Sequence, residues 1–205
     1  MKKRFLLIIV LLAAFSLYWF VLRTKDVKRE KEPKTAPITL NTHSDTFNLR
    51  VDAAIHAYIG MKDAFVNADT AGAKRFAAEF AEAIGNIPYE ELSADSGSIR
   101  ITAESVAADL KANTASLLMQ TDITEMRRDF SALSDQLYPG FVKMINYEGN
   151  TLYVQTCPMA FNDEETAMWL SLNDEVVNPY LGKKHPKYKA GMLNCGEVKD
   201  SVTRR

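Results

Sequence analysis

The chain has 205 residues, 47% of them hydrophobic and 10% aromatic, and a net charge of −1. That is room for one domain of ordinary size plus extra segments, and the apolar content is too high for a disordered tail. Residues 1–34 hold nine Lys or Arg against three Asp or Glu, which leaves −7 on residues 35–205, and an acidic domain without a basic stripe argues against nucleic acid as a partner.

The chain opens with "MKKRFLLIIVLLAAFSLYWFVLRTK". Residues 5–22 are an apolar run whose one clearly polar member is Ser16. As a helix it would span about 27 Å, close to a hydrocarbon core of about 30 Å. Tyr18, Trp19 and Phe20 would sit at an interface. The small residues Ala13, Ala14 and Ser16 fall mid-run rather than at its end, so an uncleaved signal anchor is expected over residues 1–22, with a cleaved signal peptide as the rival. Three basic residues precede the run and six follow it within 23–34. The positive-inside count alone would keep the rest in the cytoplasm. The Lys-Lys-Arg start and the interspersed Asp26, Glu30 and Glu32 favour export instead. The expectation is a single-pass inner-membrane protein with its domain in the periplasm. Residues 23–45, polar and with two prolines, read as a tether; residues 46–200 form the domain and 201–205 a tail.

From Thr46, Phe47, Val51, Ala54, Ile55, Tyr58, Met61 and Phe65 recur at spacings of three and four, predicting an amphipathic helix. A second helix is predicted over 70–85, with Phe76, Phe80, Ala83 and Ile84 inward and Gly85 as its stop. "NIPYEELSADSGS" reads as a loop, followed by a third helix from about Thr102 that carries Val106, Leu110, Leu117 and Leu118. "DITE" is a capping box, with Asp122 at the N-cap and Glu125 three residues on. The fourth helix then runs through Ile123, Met126, Phe130, Leu133 and Leu137 to a break at Pro139-Gly140. Four amphipathic helices with short connections predict a mainly α fold, an antiparallel four-helix bundle. The stretch "FVKMINYEGNTLYVQT" reads as two short strands around Glu148-Gly149-Asn150. Residues 157–198 have turn signals and little periodicity, so a small irregular or β motif is expected there.

Both cysteines fall in that motif, each near a methionine: Cys157 in "TCPMA" with Met159, and Cys195 in "GMLNCG" with Met192. Two readings stay open. Outside the cytoplasm the pair can form a disulfide, and a loop of 38 positions closed this way is credited with roughly 4 kcal/mol. Alternatively, thiolates and thioethers are soft donors that select Cu(I), while methionine is almost never a zinc ligand. The metal set would be Cys157, Met159, Met192 and Cys195, with His185 as an optional further ligand. Pro158 fixes the backbone between the first pair, and Gly191 and Gly196 allow close approach of the second. His43 falls in the tether and His56 on a solvated face. Met61, Met119, Met126 and Met144 read as core fillers, Trp169-Leu170 as an anchor of the tail, and Glu164-Glu165 as a solvated turn. No nucleophile elbow, P-loop or dinucleotide-binding glycine pattern is present, so no enzyme is expected.

"YVQTCPMA", "WLSLNDEVVNPYLG" and "MLNCGEV" together resemble the bacterial domain-of-unknown-function family numbered three-three-four-seven. "AYIGMKDAFVNAD" and "MRRDFSALSDQLY" are similar to that family's first and later helices, so the resemblance spans about 46–200. It implies an exported domain, found alone or at the C-terminus of periplasmic adaptor subunits of copper/silver efflux pumps. From that follow the implied cargo, Cu(I) or Ag(I), and the implied partner, an envelope efflux adaptor or pump. The leading expectation is therefore soft-metal binding, for sequestration or hand-over to an efflux system, and the alternative is a disulfide-stapled, metal-free interaction module of the envelope. The loop "KKHPKYKAG" is longer than in the shorter members, so His185 is not a ligand the whole family needs.

Overall fold

A computed structural model describes residues 42–203 together with Phe15, Ser16 and Tyr18. The chain divides into two compact units, Met1–Pro37 and Ile38–Arg205. The anchor expected over 5–22 lies outside the described residues, apart from those three helical positions. Among the described residues, no helix is long and apolar enough to cross a membrane.

The second unit is mostly helical, with a small antiparallel sheet at its C-terminal end. Helix α1 (Asp45–Val66) starts where Ser44 Oγ accepts from Phe47 N, a side-chain cap that serves an otherwise orphaned amide. Its apolar stripe, Phe47, Val51, Ala54, Ile55, Tyr58, Met61 and Phe65, is buried as the spacing predicts. Helix α2 (Thr70–Gly85) is capped by Asp69 and buries Ala73, Ala77, Phe80 and Ile84, while Phe76 and Ala83 sit at the boundary.

Helix α3 (Gly97–Met119) starts earlier than the sequence suggests. Its cap is Ser96, whose Oγ accepts from Ser98 N. Thr102 lies one turn in and donates to Ser98 O at 2.8 Å. A threonine bonded back to the preceding turn is compatible with either position, so the residue alone could not mark the boundary. Part of the expected loop is a 3-10 turn, Tyr89–Ala94, with Leu92 buried. Helix α4 (Ile123–Asp135) begins as read: Asp122 Oδ1 accepts from Thr124 N at 2.7 Å and from Glu125 N at 3.2 Å. It passes into a π-type segment, Gln136–Phe141, where Tyr138 leaves helical geometry before Pro139.

The first strand expected in "FVKMINYEGNTLYVQT" does not form. Residues 141–146 continue as helical turns, and Phe141, Val142 and Ile145 are buried at helical spacing. The second does form and is longer than expected: β1 (Leu152–Phe161) runs through Cys157 and Pro158. With β2 (Glu165–Ser171) and β3 (Glu197–Val202) it makes an antiparallel sheet in the order β2-β1-β3. A proline in a central strand normally breaks the ladder. Here β3 pairs only with Leu152–Thr156, and the β1–β2 register shifts between Cys157 and Phe161, so Pro158 sits where no partner needs its amide. A second irregularity lies in β3: Asp200 faces Val154 and Val198 faces Gln155, leaving Lys199 unopposed.

Sheet and helices meet at Tyr58. Leu170 N donates to Tyr58 Oη at 3.1 Å, Tyr58 Oη donates to Ser134 Oγ at 2.7 Å, and Ser134 Oγ donates to Phe130 O at 2.8 Å. The chain of donors runs one way, from β2 through α1 into α4. Around it, Tyr58 stacks on Phe130 at 5.0 Å, and Tyr180 packs on Phe130, Phe161 and Trp169 at 5.9, 5.2 and 5.8 Å. Burial pushes the Tyr58 phenol well above its ordinary value, so it remains a donor at any working pH. Tyr58→Phe keeps the ring and strands the Leu170 amide. It should cost about 1–3 kcal/mol in urea unfolding at unchanged m-value; a loss within a few tenths would show that the chain contributes nothing.

Candidate functional site

Cys157 and Cys195 are bonded to each other, with Cα atoms 5.8 Å apart. Cys157 is fully buried in β1, while Cys195 is half-buried at the end of a turn in which its amide donates to Met192 O at 3.0 Å. Gly196 follows with φ +136°, and a Cβ there would stand 2.5 Å from Thr156 O and 3.1 Å from the Trp169 ring. The Cys-Gly pair is thus a packing requirement: only glycine lets this backbone cross β1 closely. Met159 and Met192 are half-buried and packed against the core. His185 is elsewhere. It lies in a loop against Tyr188, and its Nδ1 accepts from Lys187 N and Tyr188 N at 3.3 and 3.2 Å. Of the five residues proposed from sequence, the fold therefore joins the two sulfurs and sets the imidazole in a different environment. Among the described residues, no group of three or more His, Cys, Asp or Glu side chains could hold a metal ion.

The turn-rich segment between β2 and β3 is organised by Asn178, which is completely buried. Its Oδ1 accepts from Tyr180 N at 2.8 Å and Leu181 N at 3.0 Å, and its Nδ2 donates to Cys195 O at 2.9 Å. Its backbone N donates to Leu193 O and its O accepts from Gly182 N. One side chain thus closes the Asn178-Pro179-Tyr180 turn and fastens it to the half-cystine. Gln155 Nε2 holds the same segment at Asn173 O and Glu175 O, at 3.1 and 3.0 Å. Two buried atoms here lack a hydrogen-bond partner, Gln155 Oε1 and Trp169 Nε1. Trp169 does anchor the tail, as read from sequence, through its burial against Tyr180.

A cavity of about 500 Å³ lies where this segment meets the helices. Ile123, Ala160, Phe161 and Tyr180 give it an apolar wall; Thr124, Arg127, Asn162, Lys184, His185 and Lys187 give it a polar one. Arg127 is 5% exposed, its Nη2 donates to Phe65 O at 2.9 Å, and its Nε is buried without a partner. Gly182, at φ +58°, passes so close that a Cβ would meet Arg127 Nη2 at 2.8 Å and Val66 O at 2.9 Å. Burial lowers the Arg127 guanidinium to about 10, against some support from Asp122. Burial and the neighbouring Arg127 also lower His185, so its imidazole is neutral at pH 7. Asp163 lines the cavity as well, but Lys187 Nζ and Tyr188 Oη (2.7 Å) donate to it.

Sequence reasoning missed Arg127 because it sits inside an amphipathic helix, where an arginine is ordinarily solvated. It also misjudged two others, His43 and Met119. His43 is buried, with Nε2 2.9 Å from Ile145 O and its ring 4.4 Å from Phe47. Met119 is 82% exposed and fills no core. Glu164 and Glu165 are exposed at a turn as read, and Glu165 also pairs with Arg128 at 3.0 Å.

Residues 54–148 match a family described as Protein of unknown function (DUF3347). This is the family that the sequence resembles. The DUF3347 match runs from the middle of α1 to the turns after the π-type segment and ends before Cys157, so the resemblance read in the tail lies beyond it. No curated protein and no solved structure matches the chain significantly.

Two predictions follow from these contacts. Asn178→Ala strands three buried backbone groups, and should cost about 3 kcal/mol or more and expose the Cys157–Cys195 bond to mild reductants; an unchanged reduction rate would deny Asn178 its clamping role. Tyr138 Oη, Lys143 Nζ and Ser201 N donate to Asp200, in that order of effect, and hold its carboxyl down at about 2. A depressed native value stabilises above the unfolded value of about 3.9 and is lost as pH falls through the native one. The protection of the β3 amides against hydrogen exchange, measured relative to the intrinsic rate at each pH, should therefore fall between pH 4 and 2 in the wild type, and Asp200→Asn should abolish that step.

Proposed function

We propose that this chain is a membrane-tethered domain of the cell envelope that works as a disulfide-stapled binding module and not as an enzyme. In this reading residues 5–22 anchor it in the inner membrane, and the domain, an antiparallel four-helix bundle carrying the C-terminal sheet, lies in the periplasm. What supports it is the Cys157–Cys195 bond itself. Disulfides persist in oxidising compartments, and this one closes 38 positions of turn-rich chain. A closure of that length contributes roughly 4 kcal/mol. Its partner would be another envelope protein, with an efflux adaptor or pump as the class the family resemblance suggests.

A second reading concerns the reduced protein. Two sulfurs close enough to bond to each other become, after uptake of two electrons and two protons, two thiols at one point, with Met159 and Met192 beside them in sequence. Deprotonated, they are a soft set for Cu(I) or Ag(I), held for sequestration or hand-over to an efflux system. His185, in its separate loop, is the optional fifth donor only if that loop moves. While the bond is intact neither cysteine offers a thiolate.

Mass spectrometry of protein prepared without reductant should show a deficit of two hydrogens, and thiol titration under denaturing, non-reducing conditions should find none. The full mass with two free thiols would overturn the staple. The reduced domain is then titrated with Cu(I) against a competing chelator, alongside Cys157→Ser. Competition by the reduced wild type alone supports the second reading, and no competition sinks it.

A further inference from the structure

The cavity beside Arg127 has no role in either reading above. Its central fact is a guanidinium taken out of water with no carboxylate within ion-pair distance among the described residues. One contact accounts for part of it. Arg127 Nη2 caps the C-terminal end of α1 at Phe65 O, where a cation suits the helix dipole. The rest of the fork is unspent, and Nε is buried and unpartnered. A buried unpaired cation is costly and is normally matched by a counter-charge.

The charges around it point the same way. Lys184 lines the cavity on the loop side with its charge unpaired among the described residues, while Lys187 is matched by Asp163. The two acids nearby do not neutralise it. Asp163 is occupied by Lys187 and Tyr188, and Asp122 accepts from the Thr124 and Glu125 amides and attracts Arg127 only from beyond ion-pair distance. That same cap means that the α4 N-terminal amides are taken, so Arg127 and not the helix end is the donor. The opposite wall is apolar, and a space of about 500 Å³ exceeds what a bare inorganic ion fills.

We propose that this cavity binds a small organic acid, its carboxylate on the Arg127 fork and its apolar body against Phe161 and Tyr180. The fork presents its N–H groups in the geometry a carboxylate accepts. Gly182 keeps the guanidinium in place, since any side chain there would displace it. The inference is independent of the state of the cysteines, because neither lines the cavity.

The test uses benzoate as the organic probe and inorganic phosphate as its control, at fixed ionic strength, with the oxidised domain. The Arg127 Nε–H resonance in a nitrogen-15 NMR spectrum is the readout. Benzoate should shift it saturably, and phosphate should do so at least tenfold more weakly. Lys184→Gln, an exposed change that leaves the fold intact, should weaken benzoate binding on the order of threefold. Arg127→Met lacks that resonance and is followed by the backbone amides of Phe161 and Tyr180, which line the cavity; their saturable shift with benzoate should be abolished, in a variant whose remaining amide spectrum shows it folded. No saturable shift with benzoate, or equal binding by Arg127→Met or Lys184→Gln, overturns the site. Phosphate binding as tightly as benzoate overturns the organic-acid class, and a response to every anion in proportion to ionic strength marks surface screening only.

Discussion

A single hydroxyl makes the buried polar link between the two halves of this fold. Tyr58 Oη takes the Leu170 amide of the sheet and gives its own proton to Ser134 on α4. The other polar contacts between sheet and helices, Arg128 with Glu165 and Tyr138 and Lys143 with Asp200, lie on the exposed surface; in the core the remaining contact is apolar, which is non-directional and sets no register. Through Tyr58, β2 is fixed at one height on α1 and α4. That height places Trp169 beneath Gly196, seats Tyr180 among Phe130, Phe161 and Trp169, and so positions the segment from Asn178 to Cys195. The half-cystines meet within this arrangement, with Cα atoms 5.8 Å apart.

The tail is then held by three different kinds of interaction. The Asn178 amide satisfies backbone groups that the turns leave open, the Tyr180 ring fills space, and the disulfide restricts the unfolded chain. Each acts on a different term of the free energy. An irregular segment of this length survives in a compact domain when its backbone groups are satisfied and its ends are tied.

The helices were legible in the sequence because their signals are local. Ser, Asp and Gly mark ends, and a period of 3.6 marks faces. Helix α2 matches its predicted limits, and α4 begins at its predicted cap. The sheet was legible only in part, since β1 reads as a strand until Cys-Pro interrupts the pattern, and β3, with almost every residue exposed, has no apolar alternation to find. The cysteine pairing was visible as one of two options that composition could not separate. The Arg127 cavity was invisible. Its residues come from α4, the β1 end and the 184–187 loop, and nothing in a single sequence brings those three together.

The unopposed Lys199 in β3 bears on behaviour at high protein concentration. Strand β3 is an outer strand of the sheet, and an outer strand is a template on which other chains can align and grow. The slipped register puts a lysine where a straight ladder would continue, flanked by Glu197 and Asp200. A bulged, twisted and charged edge accepts no incoming strand cleanly. Such an edge works against growth of the sheet beyond its three strands.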